Sequence, residues 1–370
     1  MLSTKAMPVP PATPRPDVPL DLVLHIGSGK TGTSSIQHFL HRNRARLAEL
    51  GHLYPETPGR TRHTRLGLFI QNDEALADLP SWYRQRSSSP QAFRRAFRRR
   101  LFREINQSGL SRVLLSDEAL YGAPDQALRR LGRFTGRIAG SIRLVVYLRR
   151  QDDHMVSRYQ QVVKTGETRR LADRAQQLDL SKTYDYYARL RTWARLLEPS
   201  EFVVRRFERG SFVDGSLYQD FLDAAGVDAR ADEMDQVTSV NESLDAEAVE
   251  FLRLLNLYRV EHEAATVGLI DNRRLVRRLA EVSTGPTLTL PASLLDGFMA
   301  RWEESNQAVA REFLGEDTGC LFHTPRKTKN TTTEQFLDPA RLDHFVTVAE
   351  LPEQMHATLR ALVEREATGG

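Results

Sequence analysis

The feature that most constrains this chain is a glycine-rich loop between a predicted strand and a predicted helix. Residues 21–26 (DLVLHI) form a short apolar run typical of a buried strand, and residues 27–34 (GSGKTGTS) follow at once. Apolar side chains then recur at near-helical spacing from Ile36 to Leu50, and Gly51 stands where the helix is expected to end. This order opens many α/β nucleotide-binding folds, so it predicts an anion site at the carboxyl edge of a parallel sheet.

Strands alternate with helices over the following two hundred residues. Apolar runs predict strands at 112–116, 142–149 and 201–207, and helical spacing predicts helices near 64–78, 90–107, 124–135, 153–166 and 216–226. After about residue 240 the pattern is helical only, near 244–258, 270–281 and 291–314. The alternation predicts an α/β fold with a central, mostly parallel sheet and flanking helices, the three-layer arrangement of P-loop proteins, plus a helical C-terminal part.

The length of 370 residues exceeds the roughly 250–300 residues that one hydrophobic core usually supports. We therefore expect several stretches with different roles. These are a disordered proline-rich tail at 1–19, an α/β domain at 20–235, a helical part at 236–320 packed on that domain, and an irregular or helical tail at 321–370.

The composition is that of a soluble globular protein, with 40% hydrophobic and 27% charged residues. No run approaches the ~18 apolar residues that cross a bilayer, so no transmembrane segment is predicted. The proline-rich start lacks the apolar centre of a secretory signal. The single cysteine, Cys320, excludes an intramolecular disulfide framework and a cysteine-cluster metal site. Together these features predict a cytoplasmic protein in a reducing compartment.

Arginine dominates the basic residues, with 46 Arg against 6 Lys. Segment 84–103 holds eight arginines and segment 126–151 holds seven, and neither contains an acidic residue. Such segments form either a nucleic-acid surface or solvated helix faces that acids balance elsewhere. The net charge of only +4 favours solvated faces, so no nucleic-acid partner is expected. The arginines remain suited to an anionic small ligand or an acidic glycan.

The loop departs from the ATP-binding P-loop, G-x-x-x-x-G-K-[ST], in one informative way. Gly27, Gly32 and Ser34 fall in register, but Thr33 occupies the lysine position and Lys30 lies three residues earlier, inside the loop. Glycines let the backbone turn tightly so that successive N–H groups converge on an anion, and the following helix adds partial positive charge. The alternative is a plain glycine turn with a solvated lysine.

A second candidate anion segment follows the strand at 142–149. Arg149 ends that strand and Ser157 lies two turns into the next helix, so both are expected near the same sheet edge as the loop. A guanidinium and a hydroxyl can together bind a phosphate. Two anion segments on one edge suit a nucleotide that is phosphorylated at both ends. The alternative is a surface arginine paired with Asp152 or Asp153 beside an ordinary helical serine.

These two segments together resemble PAPS-dependent sulfotransferases, where PAPS is 3′-phosphoadenosine 5′-phosphosulfate. LHIGSGKTGTSSIQ resembles their 5′-phosphosulfate loop, and LRRQDDHMVSRY resembles their 3′-phosphate segment, with Arg and Ser at the family's spacing of eight. The resemblance covers roughly 20–320 and is specific only in these two segments. Gln151 stands where the family often has proline. The resemblance implies a P-loop-related fold and sulfuryl transfer from PAPS, leaving PAP (adenosine 3′,5′-bisphosphate).

The same resemblance implies roles for individual residues. The residues implied to hold the 5′-phosphosulfate are Gly29, Lys30, Thr31, Gly32, Thr33 and Ser34, and those implied to hold the 3′-phosphate are Arg149 and Ser157. Lys30 is also expected to stabilise the leaving oxygen. The acceptor is expected to be a hydroxyl or amine on a glycan, lipid or small metabolite, in a pocket formed by 55–110, 165–200 and the helical C-terminal part.

Glu118 is the preferred general base, because it follows the strand at 112–116, whose carboxyl end should face the cleft. The same VLLSDE stretch also fits a strand that holds Mg²⁺ in a kinase, or an acidic helix start. His63, in the polar loop RTRHTR, is the second base candidate, against the alternative of a merely solvated histidine. His25 is expected to be packed or hydrogen-bonded, and His154 to touch the nucleotide.

No metal site is predicted, because the histidines form no H-x-x-x-H or similar pattern. Two other functions stay open beside sulfuryl transfer. A P-loop phosphotransferase is opposed by Thr33 at the lysine position. A nucleotide-binding protein without activity would keep Lys30, Arg149 and Ser157 but lack a base within reach.

Overall fold

The computed structural model describes residues 15–77, 79–85, 87–176, 180–237, 243–326 and 333–368, so the proline-rich segment up to residue 14 lies outside the described residues. The described part contains a five-stranded sheet. Its strands are β1 (Leu20–His25), β2 (His52–Leu53), β3 (Arg112–Ser116), β4 (Ala139–Leu148) and β5 (Glu201–Arg206). They lie in the order β2-β3-β1-β4-β5, and every pair is parallel. The predicted α/β fold with a parallel sheet is confirmed.

Helices surround this sheet and continue after it. They are α1 (Thr33–Arg42), α2 (Arg44–Glu49), α3 (Thr64–Ile70), α4 (Asp73–Ala77), α5 (Pro80–Tyr83), α6 (Pro90–Ser108), α7 (Asp125–Thr135), α8 (Gln151–Val163), α9 (Leu171–Gln176), α10 (Ser181–Tyr184), α11 (Tyr186–Leu197), α12 (Leu217–Ala225), α13 (Ala246–His262), α14 (Arg273–Val282), α15 (Ala292–Ala300), α16 (Glu303–Leu314), α17 (Leu342–Ala349) and α18 (His356–Thr368). Within the described ranges, no helix is both long and apolar enough to cross a membrane.

Alternate residues of the central strands enter two different cores, because successive strand side chains point to opposite faces. Leu24 and Leu144 pack into a core that α3, α6, α7, α11 and α16 cover. Val23 and Tyr147 pack into a second core, on the other face, that α1 and α12 cover. With both faces covered, the strands carry nearly continuous apolar runs, which is why they were predictable from the sequence.

The helical part after residue 243 has its own core. It forms around α13, whose residues Phe251 and Leu255 are fully buried, and receives side chains from α14, α15, α17 and α18. Helix α8 contributes Met155 and Tyr159 to this core, so the helix that follows β4 joins the helical part to the sheet. Helix α16 instead returns to the core of the α/β part.

Several predicted boundaries were wrong. The stretch 291–314 is two helices separated at Arg301 and Trp302, and 64–78 contains α3 and α4 instead of one helix. Helix α11 was not predicted, although Leu190 and Trp193 on it are fully buried against the sheet. Segment 165–200 therefore supplies part of the core as well as surface.

Candidate anion-binding site

The glycine-rich loop joins β1 to α1 in a left-handed backbone conformation. Gly27, Gly29 and Gly32 have φ of 53°, 64° and 73°, and the non-glycine Lys30 also has a φ of 53°. Left-handed backbone at a residue with a side chain costs roughly 1–2 kcal/mol, and such strain concentrates at functional sites. The N-cap Gly32 provides no side-chain hydrogen bond to the first turn of α1. The loop and the helix start thus combine in the way that favours an anion.

Close packing fixes this loop against its surroundings. A Cβ at Gly32 would lie 2.4 Å from Leu217 Cδ2 and 3.0 Å from Phe207 Cε2, and one at Gly27 would lie 2.6 Å from Thr33 Cγ2. The Ser28 hydroxyl donates to the Tyr147 carbonyl at 2.7 Å, which ties the loop to β4. Gly27 and Gly32 are therefore required by both conformation and space, and Gly29 by conformation alone.

Three cationic side chains lie at the loop, those of Lys30, Arg149 and Arg158. The Arg149 guanidinium donates through Nη1 to the Lys30 carbonyl at 3.1 Å, so the two segments predicted to bind anions are in direct contact. Arg158 Nη1 lies 3.9 Å from where a Cβ of Gly29 would stand. Within the described residues, none of the three forms an ion pair of 4.0 Å or less with a carboxylate. Burial, and next the Arg149 cation, lower the pKa of Lys30, while the Glu118 carboxylate opposes them.

Two buried polar groups at this cluster have no hydrogen-bond partner in the described part of the chain. They are the Thr31 hydroxyl, on a fully buried residue, and His154 Nε2. Burial, followed by the Arg158, Arg149 and Lys30 cations, lowers the pKa of His154 to about 3. Because buried polar groups are normally satisfied, two such atoms beside three cations make this cluster a candidate for binding an anion.

Glu118 lies beside the loop, but both of its oxygens are engaged. Oε2 accepts a hydrogen bond from the Thr33 hydroxyl at 2.6 Å, and Oε1 pairs with Arg62 Nη1 at 2.6 Å. Its side chain is 29% exposed, so it remains accessible to solvent. Glu118 is thus placed where the sequence predicts, with contacts that also suit a residue positioning Thr33 and Arg62.

Asp117, next to it, is a structural carboxylate. It is fully buried, and its oxygens accept hydrogen bonds from Arg62 Nε at 2.8 Å, Ala119 N at 3.1 Å and Gly67 N at 3.2 Å. Burial raises the pKa of this carboxyl, and the Arg62 cation opposes the shift. These contacts disfavour the interpretation of this stretch as a magnesium-holding strand.

His63 does not lie in a solvated loop, so the alternative of a merely solvated histidine is wrong. Its ring is fully buried at the start of α3, stacks on Tyr54 with centroids 4.3 Å apart, and accepts a hydrogen bond at Nδ1 from Ser116 N at 3.1 Å. Burial lowers the pKa of His63 to about 3. A sealed and weakly basic ring disfavours His63 as a proton acceptor, because a base must reach the proton that it takes.

The sequence also singled out four other residues, His25, Gln151, Ser34 and Ser157. His25 is packed and hydrogen-bonded as expected, with Nδ1 2.8 Å from Ser116 Oγ. Gln151, at the position of the family's proline, pairs with Asn306 on α16 at 2.5 Å. Ser157 is half-buried and Ser34 is exposed, and within the described residues neither side chain forms a hydrogen bond.

Sequence reasoning missed Arg62 and Arg158. Arg62 follows no predicted strand and is one of several arginines in a polar loop. Its ion pairs with Asp117 and Glu118 form only when the folded chain brings these distant residues together. Arg158 directly follows Ser157 on α8, and helical geometry turns it toward Gly29. Arginine is so frequent in this chain that its presence alone carries little information.

The buried histidines should make the stability of the folded protein fall in acid. Burial lowers the pKa values of His25, His63 and His154 from 6.5 to about 3. Between pH 6.5 and 3 the unfolded chain therefore binds protons that the folded chain does not, so stability falls as pH falls. From pH 7 to 5.5 we expect a loss of about 1 kcal/mol per ring, measured by chemical denaturation. Substituting His63→Gln should remove about one third of this dependence. Equal stability at both pH values would contradict the burial of these rings.

Comparison with known proteins gives one distant similarity. The chain is 29% identical over 177 residues to an uncharacterized protein of Archaeoglobus fulgidus. The alignment covers 47% of this chain and 46% of that protein, so the chain matches about half the length of this relative. No protein-family model matches the chain, and no solved structure matches it.

Proposed function

We propose that this protein is a PAPS-dependent sulfotransferase. The observation that carries the proposal is the contact between Arg149 and the Lys30 carbonyl, which unites the two phosphate-binding segments at one sheet edge. Lys30, Arg149 and Arg158 meet there, and none of them forms an ion pair of 4.0 Å or less with a carboxylate of the described residues. A donor with a 5′-phosphosulfate and a 3′-phosphate would place negative charge at both segments.

Each side chain then has a distinct task in this proposal. The loop N–H groups and the start of α1 hold the 5′ end. Arg149 and Ser157 hold the 3′-phosphate. Lys30 stabilises the charge that develops on the bridging oxygen, since electrostatic stabilisation of this kind is usually the largest catalytic contribution.

Glu118 receives the acceptor proton in this scheme. Of the two base candidates it is the one that contacts the loop, through Thr33, and it keeps part of its surface exposed. The bond that forms joins the acceptor oxygen or nitrogen to sulfur. The bond that breaks joins sulfur to the bridging phosphate oxygen, and the acceptor proton passes to the carboxylate.

A phosphotransferase is the second candidate, and one observation bears on it. Such an enzyme needs a metal-holding carboxylate after β3, yet Asp117 is committed to Arg62 and two backbone N–H groups. The lysine that should end the loop is replaced by Thr33. Both features favour the sulfuryl donor over ATP.

Calorimetry with PAP, AMP and ATP–Mg²⁺ separates the candidates. We expect PAP to bind most tightly, because it alone places phosphates at both segments, and a charge-assisted hydrogen bond contributes roughly 1.5–3 kcal/mol. AMP should bind at least about tenfold more weakly. Tightest binding of ATP–Mg²⁺ would favour the phosphotransferase, and no binding of any nucleotide would contradict both proposals.

A further inference from the structure

The two arginine-rich segments of the sequence meet at a cavity away from the glycine-rich loop. Its volume is about 670 Å³, and helices α3, α6 and α7 line most of it. Ile138, also in its lining, directly precedes β4. The cavity thus lies toward the amino ends of the strands, whereas the loop follows the carboxyl end of β1. A volume of this size is within the range of small-molecule sites.

The floor of the cavity is aromatic. Phe69, Phe102 and Phe134 come from the three helices and lie in its lining. Phe134 packs edge-on against Phe69 with centroids 4.8 Å apart and stacks on Phe102 at 5.9 Å. Only 4%, 3% and 8% of Phe69, Phe102 and Phe134 is exposed, so these core rings present a small, rigid apolar patch to the cavity, against which a flat hydrophobic group can pack.

Two arginines on the wall are held in place by the backbone. Arg94 donates through Nη2 to the Gln71 carbonyl at 2.6 Å and pairs with Asp73 at 2.6 Å. Arg130 donates through Nη1 to the Ile70 carbonyl at 3.0 Å. Burial, and next the Arg94 cation, lower the pKa of Arg130. These contacts hold two guanidinium groups of the lining in place.

Four more arginines of the lining form no ion pair of 4.0 Å or less within the described residues. They are Arg15, Arg98, Arg133 and Arg137. Arg98 Nε is buried and lacks a hydrogen-bond partner there. The proline-rich segment 1–14 contains no Asp or Glu, so it supplies no acidic side chain to them. A half-enclosed cavity with this excess of positive charge disfavours an uncharged occupant and favours an anion.

We propose that this cavity is a second ligand site, which binds a small aromatic anion. The ring would lie on the three phenylalanines, and a sulfonate, sulfate, phosphate or carboxylate group would bind between Arg98 and Arg133. The helical spacing explains the arrangement. Arg94, Arg98 and Phe102 follow at intervals of four on α6, which places them along one face of that helix. This proposal does not depend on the proposed enzymatic activity, because it uses none of the residues of the loop site.

The test is calorimetry of naphthalene-2-sulfonate with the full chain. Naphthalene-2-sulfonamide serves as the uncharged match and inorganic sulfate as the match without a ring. We expect the sulfonate to bind at least about tenfold more tightly than either, because only the sulfonate uses both the rings and the arginines. The single variants Arg98→Gln and Arg133→Gln should each weaken binding of the sulfonate about tenfold. If one variant folds poorly, the other still tests the proposal.

Two controls locate the site. Arg99→Gln removes an exposed arginine of the same helix that lies outside the cavity lining, so it should leave the affinity unchanged. Arg149→Ala should also leave it unchanged, because that residue belongs to the loop site. Equal affinity for the sulfonamide, no saturable binding, or loss of binding in Arg149→Ala but not in Arg98→Gln and Arg133→Gln would each overturn the proposal.

Discussion

Replacing Lys30 by alanine should lower turnover by about 10²–10³-fold, because the interaction with the leaving oxygen strengthens in the transition state. PAP affinity should fall much less, since the loop N–H groups and Arg149 still hold the nucleotide. Turnover is measured with PAPS and an acceptor identified by screening, and PAP affinity by calorimetry. The matched control is Lys182→Ala, an exposed lysine outside the loop, which should behave as the unmodified protein.

The backbone at Lys30 adds a second comparison. Its φ of 53° is strained for any residue with a side chain, so Lys30→Gly removes both the charge and the strain. If the charge matters, the glycine and alanine variants lose turnover alike. Normal turnover with poor PAP binding in both variants would instead make Lys30 only an anchor for the nucleotide.

Substituting Glu118→Gln should lower turnover by about 10²-fold or more, because the amide accepts no proton from the acceptor. The amide retains the size of the side chain, and its one oxygen can still accept from Arg62 while its NH₂ group donates to the Thr33 hydroxyl. PAP affinity and thermal stability should therefore change little. Glu49→Gln, an exposed carboxylate paired with Arg46, is the control variant and should keep full turnover.

The pH profile of turnover separates a base from a positioning residue. If Glu118 takes the proton, the acidic limb of kcat/KM should disappear in Glu118→Gln. If Glu118 only positions Thr33 and Arg62, the acidic limb remains while turnover falls. His63→Ala should cost far less turnover than Glu118→Gln, since its ring is sealed behind Tyr54. Activity lost in His63→Ala at unchanged stability, and kept in Glu118→Gln, would contradict this assignment.

The sheet could be predicted from the sequence because its strands are buried on both faces. Apolar runs such as 112–116 need no tertiary information to be recognised, and β3 has those same bounds. The two-residue β2 (His52–Leu53) has no such signal and forms only by pairing with β3. Helix α11 did carry a signal, because Leu190, Trp193 and Leu197 recur at helical spacing.

The loop site was predictable only in part. Lys30 and Arg149 stand out because glycines or a strand end precede them, and the structure brings them together. The surroundings of Glu118 were not predictable, because its partners Thr33 and Arg62 lie 85 and 56 residues away in the chain. The burial of His63 depends on Tyr54, which only the folded loop places over it. Exposure and pairing of polar groups therefore depended on long-range contacts that local patterns do not contain.

The most direct test of the central proposal is the effect of Arg149→Ala on the ratio of PAP to AMP affinity. Losing the guanidinium should weaken PAP binding about tenfold or more and leave AMP binding nearly unchanged, because only PAP carries a 3′-phosphate. Arg150→Ala is the matched control, since that guanidinium already pairs with Asp152 at 3.1 Å. We expect the ratio of PAP affinity to AMP affinity to fall in Arg149→Ala and to stay unchanged in Arg150→Ala, as the 3′-phosphate assignment requires. Equal losses for both nucleotides in Arg149→Ala would contradict it.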